Sequence, residues 1–207
     1  MAAYVDGDAR AFDALFSRWA ARLSAFFARA LGSGSPAEDA LQTTFLKLHS
    51  ARASYQRDLP FRPWLYGIAA RARADELRRR YRTKRNVADG DVSELSLVGD
   101  DGVALGEKAE LKNRVRRAIA ALPEGARNIV LLHRYEGLTF GEIATVLSEA
   151  EDKAVAEGAV RVRAFRAYEA LRKSLADLES TAGAPGAAGA DDNATLGGKR
   201  DSKEAAR

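Results

Sequence analysis

Residues 83–110, TKRNVADGDVSELSLVGDDGVALGEKAE, are acidic, punctuated by glycine and without sustained hydrophobic periodicity, and they split the chain into two stretches of helical pattern. Here 3 basic side chains stand against 7 acidic ones, compared with 14 against 8 over residues 1–82 and 12 against 10 over residues 111–179. Two basic blocks either side of an acidic one predict an all-α chain of two small helical domains joined by a flexible acidic linker, with helix resuming from about Gly106. Residues 180–207 are small and polar, make no core and are expected to be a disordered tail.

The first block opens with ARAFDALFSRWAARLSAFFARAL, where Phe12, Leu15, Phe16, Trp19, Leu23, Phe26, Phe27 and Leu31 recur at three- and four-residue steps. GSGS at 32–35 ends that helix. Ser35, Pro36 and Glu38 then read as cap, first-turn proline and capping-box acid of a second helix reaching about Ser50. Its core face is Ala37, Leu41, Thr44, Phe45 and Leu48. A second stripe, Asp39, Gln42, Leu46 and His49, either places Leu46 among polar neighbours as a docking surface for another helix or simply widens the core face.

FRPWLYGIAARARADELRRRYR, residues 61–82, starts as a core helix through Leu65, Ile68, Ala69 and Ala72 and finishes as a basic rod with Arg71, Arg73, Arg78, Arg79, Arg80 and Arg82. At 100° per residue, Trp64, Arg71, Asp75, Arg78 and Arg82 fall within about 40° of one another, so one face combines an aromatic with cations. Arginine suits such a face to phosphate and to bases, through bidentate hydrogen bonds and stacking. The loop just before it, ARASYQRDLPFRP at 51–63, supplies Tyr55, Gln56, Arg57 and Arg62: a stacking plane and hydrogen-bonding edges for unpaired bases.

In the second block LKNRVRRAIAAL and PEGARNIVLLHRYEG each carry an apolar helical stripe, and Gly137 ends the latter. Thr139 and Glu142 form a capping box opening FGEIATVLS, and His133 reads as a helix-end side chain. The last helix buries Val160, Ala164, Tyr168, Leu171 and Leu175 and shows Arg161, Arg163 and Arg166 in its first turns, the outline of a helix-turn-helix. The turn between Leu147 and Glu157 is long for such a motif and carries Glu149, Glu151 and Asp152.

The chain has no cysteine, which removes disulfides, thiolate metal sites and a thiol nucleophile, and its two histidines stand alone. Neither a signal-peptide core nor an 18-residue apolar run is present, so a cytoplasmic location without membrane insertion is expected. No catalytic constellation, metal site or cofactor motif is visible.

Four segments in order, GDARAFDALFSRW, SPAEDALQTTFLKL, FRPWLYGIAARARADELRRR and LPEGARNIVLLHRYEGLTFGEIATVL, resemble bacterial sigma-70-type initiation factors of the two-domain extracytoplasmic-function group. The resemblance covers about residues 6–179. It implies a region 2 domain at 1–82, which binds core RNA polymerase and recognises and melts the minus-ten element, and a region 4 helix-turn-helix domain at 111–179, which recognises the minus-thirty-five element. Carried over position by position, Asp39, Gln42, Phe45 and Leu46 meet the clamp helices of the largest polymerase subunits. Tyr55, Gln56, Arg57, Phe61, Arg62 and Trp64 serve the flipped minus-ten base, and Arg71, Asp75, Arg78 and Arg79 follow the melted strand and upstream duplex. Arg161, Arg163 and Arg166 approach the minus-thirty-five major groove. Arg71 stands where the family usually has asparagine. The implied partners are core polymerase, promoter DNA as duplex and melted strand, and an anti-sigma protein. The alternative is a free-standing helix-turn-helix regulator that does not bind core polymerase.

Overall fold

A computed structural model describes the backbone of residues 1–87 and 107–182 and the side chains of residues 1–83 and 110–176. All described elements are helical, in the order α1 Ala2–Val5, α2 Arg10–Leu31, α3 Ser35–Ala51, a 3-10 turn Arg52–Ser54, α4 Phe61–Val87, α5 Glu107–Ala121, α6 Glu124–Val130, α7 Phe140–Glu151 and α8 Glu157–Ala182. Between α6 and α7 the backbone continues through Leu131–Tyr135 as a wider π-helical turn.

The N-terminal module forms as the periodicity predicts, because α2 turns Leu23, Phe26, Phe27 and Leu31 inward onto Leu48 of α3 and Leu65 of α4, all at most 1% exposed. The sharp reversal after α2 depends on Gly32 and Gly34, whose φ angles of 86° and 105° lie in the region that glycine tolerates. That reversal corrects one expectation. Gly34, not Ser35, takes the cap position of α3, and the Ser35 hydroxyl faces the Asp39 carboxylate at 3.4 Å instead. Pro36 does occupy the first turn, where its missing N–H is harmless.

The C-terminal module packs α6, α7 and α8 around Ile129, Leu132, Ile143, Val146 and Val160, each fully buried. The Thr139–Glu142 capping box is complete in both directions. Two details depart from the sequence pattern. Helix α7 continues to Glu151, so part of the long turn is helix; Asp152 in the left-handed region ends it, and Ser148 Oγ accepts from Val155 N at 2.9 Å. On α8 the buried positions are Val160, Ala164, Ala167 and Leu171, while Tyr168 keeps 36% exposure.

Helix α4 runs to Val87, past the boundary expected at 82, α5 starts at Glu107, in line with helix resuming from about Gly106, and α8 takes in residues 180–182 of the expected tail. The remaining linker and tail expectations, at 88–106 and 183–207, lie outside the described residues.

The two modules meet along α4 and α7, the most extensive helix pair among the described residues, and their buried residues form one continuous cluster from Tyr4 to Leu171. Helix α4 is thus packed by α2 and α3 on one side and by α7 on another. Leu48 has no exposure and sits in the first of these layers. Replacing it with alanine deletes its methyl groups and leaves a cavity; the Leu48→Ala chain is expected to lose about 3 kcal/mol in chemical denaturation.

Candidate nucleic-acid and polymerase interface

At the head of α4 three aromatic rings gather. Tyr55 lies 5.9 Å from Phe61 and 5.0 Å from Trp64 between ring centroids, and Phe61 in turn packs edge-on against Trp19 at 5.8 Å. The Tyr55 hydroxyl donates to Leu59 O at 2.8 Å, which ties the loop into a closed turn and fixes its ring. Gln56 and Arg57 are exposed on the same loop, and Arg57 pairs with Asp6. The hydrogen bond and the charge of Asp6 raise the Arg57 pKa. Such a partly exposed aromatic cluster, held from behind by the core, is a platform on which an unstacked base can lie.

Further along α4 the cations separate into two sets. Arg78 and Arg79 are 67% and 60% exposed at the side chain. Arg78 pairs with Asp75, which also takes Lys47 Nζ of α3 at 2.7 Å. Partial burial alone would raise the Asp75 pKa, but hydrogen bonds from Lys47 and Arg78 outweigh it and hold the carboxyl below its ordinary range. Arg79 reaches Glu76 at 2.8 Å and Asp39 of α3 at 3.0 Å, and the Glu76 contact is the main cause of its raised pKa.

The second set points to the C-terminal module. Arg62 donates to Gly137 O at 2.8 Å and lies 3.6 Å from Glu142, and Arg71 donates to Glu149 O. Arg73 is buried to 2% exposure with Glu124 at 3.3 Å. Burial lowers its pKa to about 10, so it keeps its charge at neutral pH.

On α3, Leu46 is 69% exposed, so it does not widen the core, and it stands out on the face of Asp39 and Gln42. Phe45 points the other way: it is 6% exposed and packs on Phe12 and Phe16 at 6.2 and 4.7 Å. His49 bonds the Tyr4 hydroxyl.

On α8, Arg161 pairs with Glu157 at 2.7 Å and lies over the Phe140 ring at 5.8 Å, and Arg163 stands 3.8 Å from Glu151. Val162 and Phe165, 51% and 66% exposed, share the outward side of α8 with Arg166. Neither is among the residues singled out from the sequence, although each is out of phase with the buried positions 160, 164, 167 and 171. Glu136, 5% exposed, is a second omission; nothing in the spacing of HRYEG marks that acid as buried. His133 meets Leu138 O at 2.9 Å and the Phe140 ring at 4.5 Å, closing the turn into α7.

The described surface therefore offers three groups on separate elements: an apolar residue among polar ones on α3, an aromatic platform leading into arginines on α4, and cations with exposed apolar side chains on α8. Family models for Sigma-70 region 2 and Sigma-70, region 4 match residues 15–83 and 112–171. The chain is 34% identical over 179 residues to RNA polymerase sigma factor CarQ of Myxococcus xanthus, covering 86% of this chain and 97% of that one. It is 31% identical over 182 residues to the ECF RNA polymerase sigma-E factor of Escherichia coli K12, covering 83% and 90%. Its fold is similar to that of the sigma factor RpoE of Bartonella quintana, solved in complex with the anti-sigma factor NepR, with a TM-score of 0.64, 18% identity and coverage of 81% and 98%.

The Asp75 node yields a pH-dependent expectation. Because its folded pKa is depressed, its contribution is present above the ordinary aspartate value of about 4 and is lost as pH falls through the lower folded value. Asp75→Asn is expected to lower thermal stability at pH 7 by less than about 1 kcal/mol, since the pair is half exposed, and the gap to wild type should close in melts below about pH 4.

Proposed function

The chain belongs to the sigma-70 family, in its extracytoplasmic-function group, and directs transcription initiation with core RNA polymerase; from that premise we propose a division of labour along its length. Region 2 spans the first module and region 4 the second. Leu46, framed by Asp39 and Gln42, docks on the clamp helices of the polymerase, with Phe45 beneath it fixing the pitch of the face. The observation that supports this is the 69% exposure of a leucine on an otherwise polar helix face.

The Tyr55, Phe61 and Trp64 rings take an unstacked base of the minus-ten element, with Gln56, Arg57 and Arg62 around it. Unpairing costs a few kcal/mol for each flipped base, and stacking on a held aromatic returns part of that. Arg71, Asp75, Arg78 and Arg79 follow the strand and the upstream duplex. On α8, Arg161, Arg163 and Arg166 meet the minus-thirty-five groove, where exposed Val162 and Phe165 suit thymine methyl groups. The factor acts by binding and carries no catalytic residue, metal or cofactor of its own. We place it in the cytoplasm, where its polymerase is; no described helix is long and apolar enough to cross a membrane. An anti-sigma protein, the kind of partner in the similar Bartonella complex, is the proposed regulator.

Run-off transcription with core enzyme on genomic fragments tests the reading, and no initiation on any fragment would reject it. Leu46→Asp is expected to weaken retention on immobilised core enzyme at least about thirtyfold, as truncating a central apolar anchor does; unchanged retention would favour the free-standing regulator. Replacing Arg78 and Arg79 together by alanine should reduce the slope of log affinity against log salt for promoter complexes by about two, one for each phosphate that the variant leaves unneutralised.

A further inference from the structure

Residues 1–8 lie outside the part of the chain matched to Sigma-70 region 2, which begins at residue 15, yet they pack against the loop assigned to the minus-ten base. Tyr4 is 6% exposed. Its ring packs on Phe12 at 5.5 Å and on His49 at 6.1 Å, and its hydroxyl bonds His49 Nδ1 in the last turn of α3. Arg52 clasps the same histidine, donating to its carbonyl at 2.9 Å and to Nε2 at 3.3 Å, so the start of the loop is tied to α1.

The turn after α1 carries Asp6 to the middle of that loop. Gly7 has a φ of 97° and nothing within 4 Å of where a Cβ would stand, so glycine is needed there for its backbone and not for room. Gly7 N and Asp8 N close the turn onto Tyr4 O and Ala3 O at 3.2 and 3.0 Å, and Asp8 accepts from Arg10 N at 2.9 Å to start α2. Asp6 is therefore mounted between a buried tyrosine and the head of a helix. Its two carboxylate oxygens take both terminal nitrogens of Arg57: Oδ2 from Nη1 at 3.2 Å, and Oδ1 from Nη2.

A fork-on-fork pair of this kind fixes direction as well as distance. An arginine beside a DNA site ordinarily suits a phosphate, but Arg57 presents its fork to a carboxylate 51 residues away in its own chain. The two side chains are 53% and 57% exposed, so the pair adds little to the stability of the fold. Its effect is on position. It holds the loop between the His49 tie before it and the Tyr55–Leu59 closure around it.

We infer that Asp6 is a positioning residue of the minus-ten reader, and that Arg57 is the strut through which it holds the loop and not a phosphate contact. This role rests on the assignment of the Tyr55 loop to the minus-ten base. It leaves Tyr55 and Gln56 to meet that base and adds the N-terminal turn to the reader.

Promoter complexes with core enzyme, on a fragment the wild type serves, separate a strut from a DNA contact. Arg57→Ala and Asp6→Asn should each lower affinity about threefold, and the double variant no further than either alone, because the two changes remove one shared contact. The slope of log affinity against log salt should stay as in wild type. The fluorescence of 2-aminopurine placed in the minus-ten element, which rises when a base leaves the stack, should fall with both variants, while melting midpoints stay within about 3 °C of wild type. A DNA contact gives the opposite pattern: Asp6→Asn tightens binding by freeing the cation, and Arg57→Ala lowers the slope by about one. Either result, or unchanged affinity in both single variants, would overturn the inference. Because the chain has no cysteine, a nitroxide on Gln56→Cys gives an independent measure in the free factor. Asp6→Asn should sharpen its spectrum, and an unchanged line shape would overturn the inference as well. Failure of the wild type to form promoter complexes would strike the functional assignment instead, and the nitroxide would still report whether Asp6 holds the loop.

Discussion

Helix α4 is packed on two sides, so a helix rich in arginine has to place cations where water does not reach. The first side is solved by composition, because Leu65, Ala69 and Leu77 bury easily against α2 and α3. On the second side the C-terminal module supplies the anions. Tyr66 and Glu136 are both nearly free of solvent, and burial first, then the hydrogen bond to Glu136, push the tyrosine pKa upward. The phenol therefore stays a neutral donor, and Arg22 and Arg29 at the rim offset the charge of the acid it serves. Were Glu136 alone at the centre, its desolvation would oppose docking; with a donor and two cations the same group becomes the tie.

The contrast with the exposed end of α4 is one of energy as well as position. Arg78 with Asp75 and Arg79 with Asp39 form water-accessible pairs, and such pairs are worth little; Arg79 is also oriented by the nearly buried Glu76 at 2.8 Å. A phosphate can replace Asp75 or Asp39 at small cost, so the arginines are oriented without being committed. Arg62 and Arg71 are committed, to carbonyls of another module. The cations that the sequence puts on one helix are thus divided by tertiary packing: Arg78 and Arg79 face solvent, Arg80 holds Leu31 O of α2, and Arg62, Arg71 and Arg73 turn to the C-terminal module.

How far this was legible in the chain follows from what each feature depends on. The α2 stripe, apart from Phe16 with 45% exposure, and the Thr139–Glu142 box are local or periodic and appear where the pattern puts them; periodicity left Leu46 open between core and docking face, and its 69% exposure excludes the core. The cap of α3 misread by one residue because the backbone reverses at Gly34 before Ser35 can act. Tyr168 sits at the edge of a stripe, and there Ala167, smaller, took the buried place. Glu136 and Gly67 were not legible: one is an acid in a glycine-ended helix tail and the other a glycine in a helix, faced by Glu149 of α7, and both acquire meaning only when a second module arrives. Gln42, Arg71, Arg78, Arg79 and the α8 arginines are exposed, whereas Arg73, read from the sequence as part of the basic rod, is 2% exposed; which cation is buried and which faces an acid is a tertiary fact.

The last turn of α7 shows why the tertiary fact matters. Read as sequence, Glu149, Glu151 and Asp152 were acids in a long turn, a nuisance to a helix meant for DNA. As helix they have places: the Glu149 carbonyl takes Arg71 of α4, while the Glu151 carboxylate stands beside Arg163 of α8. One turn of helix thus touches both α4 and α8. The Arg163–Glu151 pair is half exposed on both sides and so weak, while the carbonyl of the same turn holds Arg71. The two modules are therefore joined by more than the chain between them, and the acids of the last α7 turn sit where α4 and α8 both come within reach.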